Sequence, residues 1–157
     1  MTREEKFMME AIILSQKGID NNEGGPFGCI IVKDDEIIGR GNNRVINNID
    51  PTAHAEIVAI REACRHLGSF QLSDCELYTS CEPCPMCLGA IYWARPKIIY
   101  YANTREDAAS IGFDDALIYS EMKAEPVNRK IPAVNISRID AVKVFQNWAI
   151  KKDKSLY

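Results

Sequence analysis

A chain of 157 residues, 46% hydrophobic and 26% charged, is long enough to bury one compact core without disulfide staples, which excludes a disordered polypeptide and a disulfide-stapled miniprotein. A net charge of -3 and a pI near 5.5 supply no global basic field for a phosphate backbone, so nucleic acid is not an expected partner. No stretch approaches the roughly 18 apolar residues that cross a bilayer; the polar run Thr2-Arg3-Glu4-Glu5 in place of an apolar leader predicts no membrane partner and a reducing, cytoplasmic location for the six cysteines.

Thr2 with Glu5 three residues later reads as a capping box, and Phe7, Met8, Ala11, Ile12 and Leu14 recur at helical spacing until Gly18. Asp20 to Pro26 is a Gly- and Asn-rich loop that empties into the apolar run 27–32, a strand. Lys33-Asp34-Asp35-Glu36 turns the chain, and a returning strand from Ile37 completes a β-hairpin. Asp50-Pro51-Thr52 has the form of a helix start, with Gly68 as its end, which puts His54 and Glu56 near a helix N-terminus. Cys75 to Thr79 is a strand, and Pro83 to Pro85 opens a helix that carries Cys84 and Cys87 in its first turn and ends before Pro96. The β-rich run Lys97 to Tyr101 lies between helical segments, which predicts a parallel strand reached by a right-handed crossover. Periodicity weakens after Gly112: 116–122 reads as a helix, 133–136 as a last strand and 141–150 as a last helix before a Lys-rich tail ending at Tyr157. The sum is an α/β domain spanning 1–157, with a mixed five-stranded sheet flanked by helices.

Two motifs carry chemistry. His54-Ala55-Glu56 and, thirty residues after the histidine, Cys84 in Pro83-Cys84-Pro85-Met86-Cys87 supply an imidazole, two thiols and one carboxylate. One His and two Cys suit a Zn2+ ion, one per subunit, and three protein ligands leave a fourth tetrahedral position open to water. A lone Cys-x-x-Cys reads equally as a redox pair or half a zinc knuckle, but neither explains the upstream His-x-Glu. The two together form the signature of zinc-dependent nucleobase deaminases, in which the Glu carries protons without binding the metal. Plainer roles exist for each residue. His54 alone could be a capping histidine, and Glu56 a helix-start carboxylate worth about 0.3 to 1 kcal/mol. Cys81 offers a different outcome: with Cys84 and Cys87 it is spaced by threes, and one imidazole with three thiolates would make a closed structural zinc module without catalysis. Pro83 separates Cys81 from the helix start and argues against it. Cys29, Cys64 and Cys75 sit in apolar stretches as small core residues, and His66 falls where a helix C-terminal dipole would meet it.

The segments Gly24-Gly25-Pro26-Phe27-Gly28, Asp50-Pro51-Thr52-Ala53-His54-Ala55-Glu56 and Tyr78-Thr79-Ser80-Cys81-Glu82-Pro83-Cys84-Pro85-Met86-Cys87 resemble the bacterial guanine deaminases of the cytidine-deaminase-like superfamily. So do Cys87 to Pro96, Gly112-Phe113-Asp114-Asp115 and the Tyr-ending tail. The resemblance implies the three-layer fold of that superfamily and hydrolysis of guanine to xanthine and ammonia, with Glu56 as proton shuttle. It implies that Asn42 hydrogen-bonds the purine edge, that Phe27 and Trp93 wall the pocket, and that Ala55 and Tyr157 touch substrate. Asp115 would be a second proton carrier or a partner for the guanine amino group; the plainer reading is a solvated cap, as core packing is for Trp93 and fraying for Tyr157. Similar enzymes are homodimers, so 141–157 is expected to close an active site, its own or, by swapping, the partner's. A related deaminase of nucleosides or of adenosine in transfer RNA shares the metal motif and is the competing enzymatic reading.

Overall fold

In a computed structural model that describes residues 1–157, the chain forms two units, Met1–Asp115 and Ala116–Tyr157. In the first, Thr2 caps α1 (Arg3–Asp20) through the reciprocal capping box with Glu5 that its sequence predicts. β1 (Gly28–Lys33) and β2 (Glu36–Asn42) form the expected antiparallel hairpin, and Asp34 and Asp35, with φ of 50° and 66°, both take the left-handed backbone of a tight two-residue turn. β3 (Glu76–Cys81) pairs antiparallel with β1 and parallel with β4 (Ile98–Asn103), giving the order β2-β1-β3-β4. The parallel pair is joined by α4 (Pro85–Ala94), as the sequence predicts.

Strand alternation divides the side chains between two faces. Ile30, Val32 and Tyr78 meet Ala11 of α1, with Phe7, Met8 and Leu14 packed around them. Cys29, Ile31 and Leu77 meet Ala55, Ala59 and Ala63 of α3 (Ala55–Leu67) and Ile91 and Ala94 of α4. The result is three layers, helix on sheet on helices. Alanine at every fourth residue lets α3 press on β2: a Cβ at Gly41 would stand 2.2 Å from the Ala55 carbonyl oxygen, so only glycine permits the approach. That contact fixes the N-terminus of α3, where the motif His54 to Glu56 begins.

Five elements differ from the sequence reading, and the first two have physical causes. The sheet has four strands, not five: Ala133 donates its N–H to the Pro126 carbonyl instead of a ladder, while Val134 and Ile136 stay exposed. α3 starts at Ala55, because Asp50 Oδ1 accepts from both the N–H (2.8 Å) and the hydroxyl (2.7 Å) of Thr52, a local turn that competes with helix. The short α2 (Val45–Asn48) was not foreseen, nor was α5 (Arg105–Ser110), although Thr104 and Asp107 cap α5 reciprocally. The second unit contains α6 (Ala116–Lys123), a 3-10 turn at 126–128 and α7 (Arg138–Ile150), which begins three residues before the predicted Ala141.

Candidate active site

Two helix N-termini supply the predicted ligands. His54 is the N-cap of α3 and Cys84 the N-cap of α4, with Pro85 at the first helical position and Cys87 at the third. Both caps lack a side-chain hydrogen bond to their own helix, so imidazole and thiol are left for other work. The positive ends of both helices favour thiolates and a carboxylate beside them.

The ligand atoms of His54, Cys84 and Cys87 all lie within 4.8 Å of one another. His54 Nδ1 is 3.6 Å from Cys84 Sγ and 3.5 Å from Cys87 Sγ. Tetrahedral zinc, with bonds of about 2.3 Å to sulfur and 2.0 Å to nitrogen, sets that edge at about 3.5 Å. The donor set therefore fits zinc in spacing as well as in chemistry. One thiol is poised for it: the hydrogen bond from Cys87, with His54 adding to it, brings the Cys84 thiol down to about 4, while the same bond pushes Cys87 up as the donor, so Cys87 gives up its proton on binding the ion. His54 is raised, first by its bond to Cys84.

Cys81 does not join them. At the end of β3 its Sγ donates to the Thr104 carbonyl oxygen at 3.6 Å, and burial lifts its thiol to about 11. A closed four-ligand module is thereby not formed.

Glu56 lies two residues past His54, 6% exposed, and its carboxyl is raised by burial. Its Oε1 accepts a hydrogen bond of 3.1 Å from the Thr79 hydroxyl. Asp115 is brought near the same locale: burial raises its carboxyl, the charge of Cys84 adds to the rise, and Arg105, 3.6 Å away, opposes it. Phe27 packs edge-on against Phe113 with centroids 4.9 Å apart. Asn42, buried at the end of β2, donates to Glu23 and accepts from Arg44 at 3.3 Å. The remaining predicted residues fall differently. The Ala55 side chain is in the core, leaving only its backbone to meet a ligand. Trp93 is 63% exposed on α4 and so is not a core residue, and Tyr157 is exposed at the end of the second unit.

Thr79, Glu23, Phe113 and Arg105 were not singled out from sequence as site residues. For Thr79 a signal existed, since alternation from Leu77 puts it on the α3 face. Glu23 sits in an irregular loop, where no periodicity points to a partner.

Residues 1–103 match the cytidine and deoxycytidylate deaminase zinc-binding region, about two thirds of the chain and all three proposed ligands. The chain belongs to this zinc-binding deaminase family. Within it, guanine deaminase of Bacillus subtilis (strain 168) is 51% identical over 153 residues, 98% of each chain. The X-ray structure of guanine deaminase from Bacillus subtilis superposes with a TM-score of 0.95 over 98% of both chains. A tRNA-specific adenosine deaminase of Streptococcus pyogenes is 41% identical over 126 residues, covering 80% of this chain and 76% of that one. As a member of the deaminase family, the protein is a zinc enzyme, and His54, Cys84 and Cys87 are the residues positioned to hold the ion.

Proposed function

We propose that this deaminase hydrolyses guanine to xanthine and ammonia. The observation that carries the choice of base is the match over 98% of both chains to the Bacillus subtilis guanine deaminase, which covers most of the chain beyond residue 103, where the shared zinc region has ended. Bound by His54, Cys84 and Cys87, zinc would supply a Lewis acid that makes water nucleophilic at neutral pH. The chain's own groups do the rest. Glu56, buried and free of metal duty, takes a proton from the attacking water as oxygen adds to the ring carbon that bears the amino group and gives it to a ring nitrogen; it then takes the second proton from the added hydroxyl and gives it to the amino group, which leaves as ammonia as the C–N bond breaks and the carbonyl forms. Asn42 reads the purine edge as donor and acceptor together, exchanging its contacts with Glu23 and Arg44 for the base. Phe27 and Trp93 wall the flat ring, the Ala55 backbone contributes at the helix N-terminus, and Asp115 binds the guanine amino group or relays a second proton.

The working enzyme is a cytoplasmic homodimer of one domain per chain, in which 141–157 covers an active site and Tyr157 touches the base. Support comes from α7, where Val144 and Phe145 are 64% and 76% exposed, a surface that a second copy would cover. All six cysteines are free, which suits a reducing compartment. A small purine, not nucleic acid, is the partner, consistent with the -3 net charge.

Ammonia release from a panel of free bases, nucleosides and a transfer-RNA stem-loop tests the assignment. Guanine is expected to react fastest, and a clear preference for adenosine, cytidine or the stem-loop would overturn it.

A further inference from the structure

Glu56 has a partner that the zinc-binding motif does not include. We infer that Thr79 is a positioning residue for Glu56, aiming the carboxylate at the reacting atoms. The inference rests on the proton-carrying role of Glu56 proposed above. Thr79 lies in β3, a central strand paired on one side through Cys29 of β1 and on the other through Tyr101 of β4. Its backbone is therefore fixed from both flanks, and at 1% exposure its side chain has no room to turn elsewhere. A β-branched side chain is stiff about its first torsion, so the hydroxyl is delivered in one direction. That direction is Glu56 Oε1, 3.1 Å away.

A glutamate at the second position of a helix has three torsions, and the last is soft. Burial alone does not choose its value. The hydroxyl of Thr79 ties one carboxylate oxygen to the sheet, the Glu56 N–H and the Cys87 thiol bond the carboxylate from the two helix starts, and the close packing of the Ala55 carbonyl on Gly41 holds the backbone just before it. The carboxylate plane is thus set by rigid elements, the arrangement that a proton shuttle needs, because transfer efficiency falls off with small misplacement. No other buried hydroxyl has a hydrogen bond to a group of this site: Ser80 accepts instead from the Gly28 N–H at 3.0 Å.

The test compares Thr79→Val, Thr79→Ala and Thr79→Ser in the zinc-loaded full-length enzyme. Valine keeps the shape and deletes the hydroxyl; serine keeps the hydroxyl and deletes the methyl; alanine covers the case in which valine fails to fold. The expected result is a fall in kcat of about 10- to 100-fold in the valine and alanine proteins, with KM within about twofold, unchanged zinc content, and kcat recovered in the serine protein. A kcat that is the same whether or not the hydroxyl is present, or a change confined to KM, would overturn the inference. Crystal structures of the same variants give an answer independent of turnover. The Glu56 carboxylate should rotate or split into two positions without the hydroxyl and stay single with serine, whereas an unmoved carboxylate in the valine protein would contradict the role. Wild-type protein that prefers another base sinks the guanine assignment only; the comparison then runs on that base.

Discussion

At the scale of single residues, the proposed reaction needs one carboxylate that stays off the metal while lying close to it. Glu56 and His54 are two apart at the start of one helix, so the imidazole can bind while the carboxylate points to the neighbouring strand. Replacing Glu56 by glutamine preserves shape and removes the proton acceptor. We expect that protein to retain zinc by elemental analysis and to lose about 10²- to 10⁴-fold in ammonia release, the range of general acid-base catalysis; near-normal turnover would refute the role. Cys81→Ser is the complementary case. Because Cys81 faces the Thr104 carbonyl, zinc content and turnover should both stay within about twofold of wild type. Sequence spacing kept Cys81 as an alternative fourth ligand, with Pro83 arguing against it, because three cysteines at intervals of three look alike until β3 turns Cys81 to the Thr104 carbonyl and the start of α4 places Cys84 and Cys87 beside His54.

At the scale of elements, the two helix starts are positioned by close backbone packing, and α1 is fastened by charge. Gly41→Ala would thrust a methyl at the Ala55 carbonyl. Overpacking of that kind costs roughly 1–3 kcal/mol, and because Ala55 adjoins His54 it should also weaken zinc retention, seen as a lower Tm together with metal loss on dialysis. Across the sheet, Glu76 is nearly buried. Burial works to raise its carboxyl, but hydrogen bonds from Arg3, Tyr78 and Lys97 outweigh it and hold the group down at about 2, below the usual 4.5. A depressed carboxyl stabilises the fold above the unfolded value, and that stability drains away as pH falls from about 4.5 toward 2. Glu76→Gln should therefore flatten the fall in Tm over that window, measured against wild type. Helices α1 and α4 and the hairpin were legible because caps, Pro85 and the paired Asp34-Asp35 turn are local signals. The start of α3 was not, since Asp50 offers an Asx turn and a helix cap with the same side chain, and the last strand failed because 133–136 has β-rich composition but no neighbour to pair with.

At the scale of the whole molecule, the three-layer unit brings residues from α3, β3 and α4 to one end of the sheet, while the second unit carries exposed apolar side chains on α7. If a second copy covers that surface, sedimentation should give a dimer, and Phe145→Glu with Trp148→Glu should shift it toward monomer with loss of activity. The grouping of His54, Cys84 and Cys87 could be read from sequence because motif spacing encodes it. Thr79 and the Glu23–Asn42 contact depend on how strands pack, which spacing does not encode.

The most direct measurement is guanine turnover as a function of zinc content. Protein stripped by a chelator and refilled in steps should form xanthine in proportion to bound zinc, rising to a limit at one ion per chain. Full turnover in metal-free protein, or no turnover with the site filled, would contradict the account.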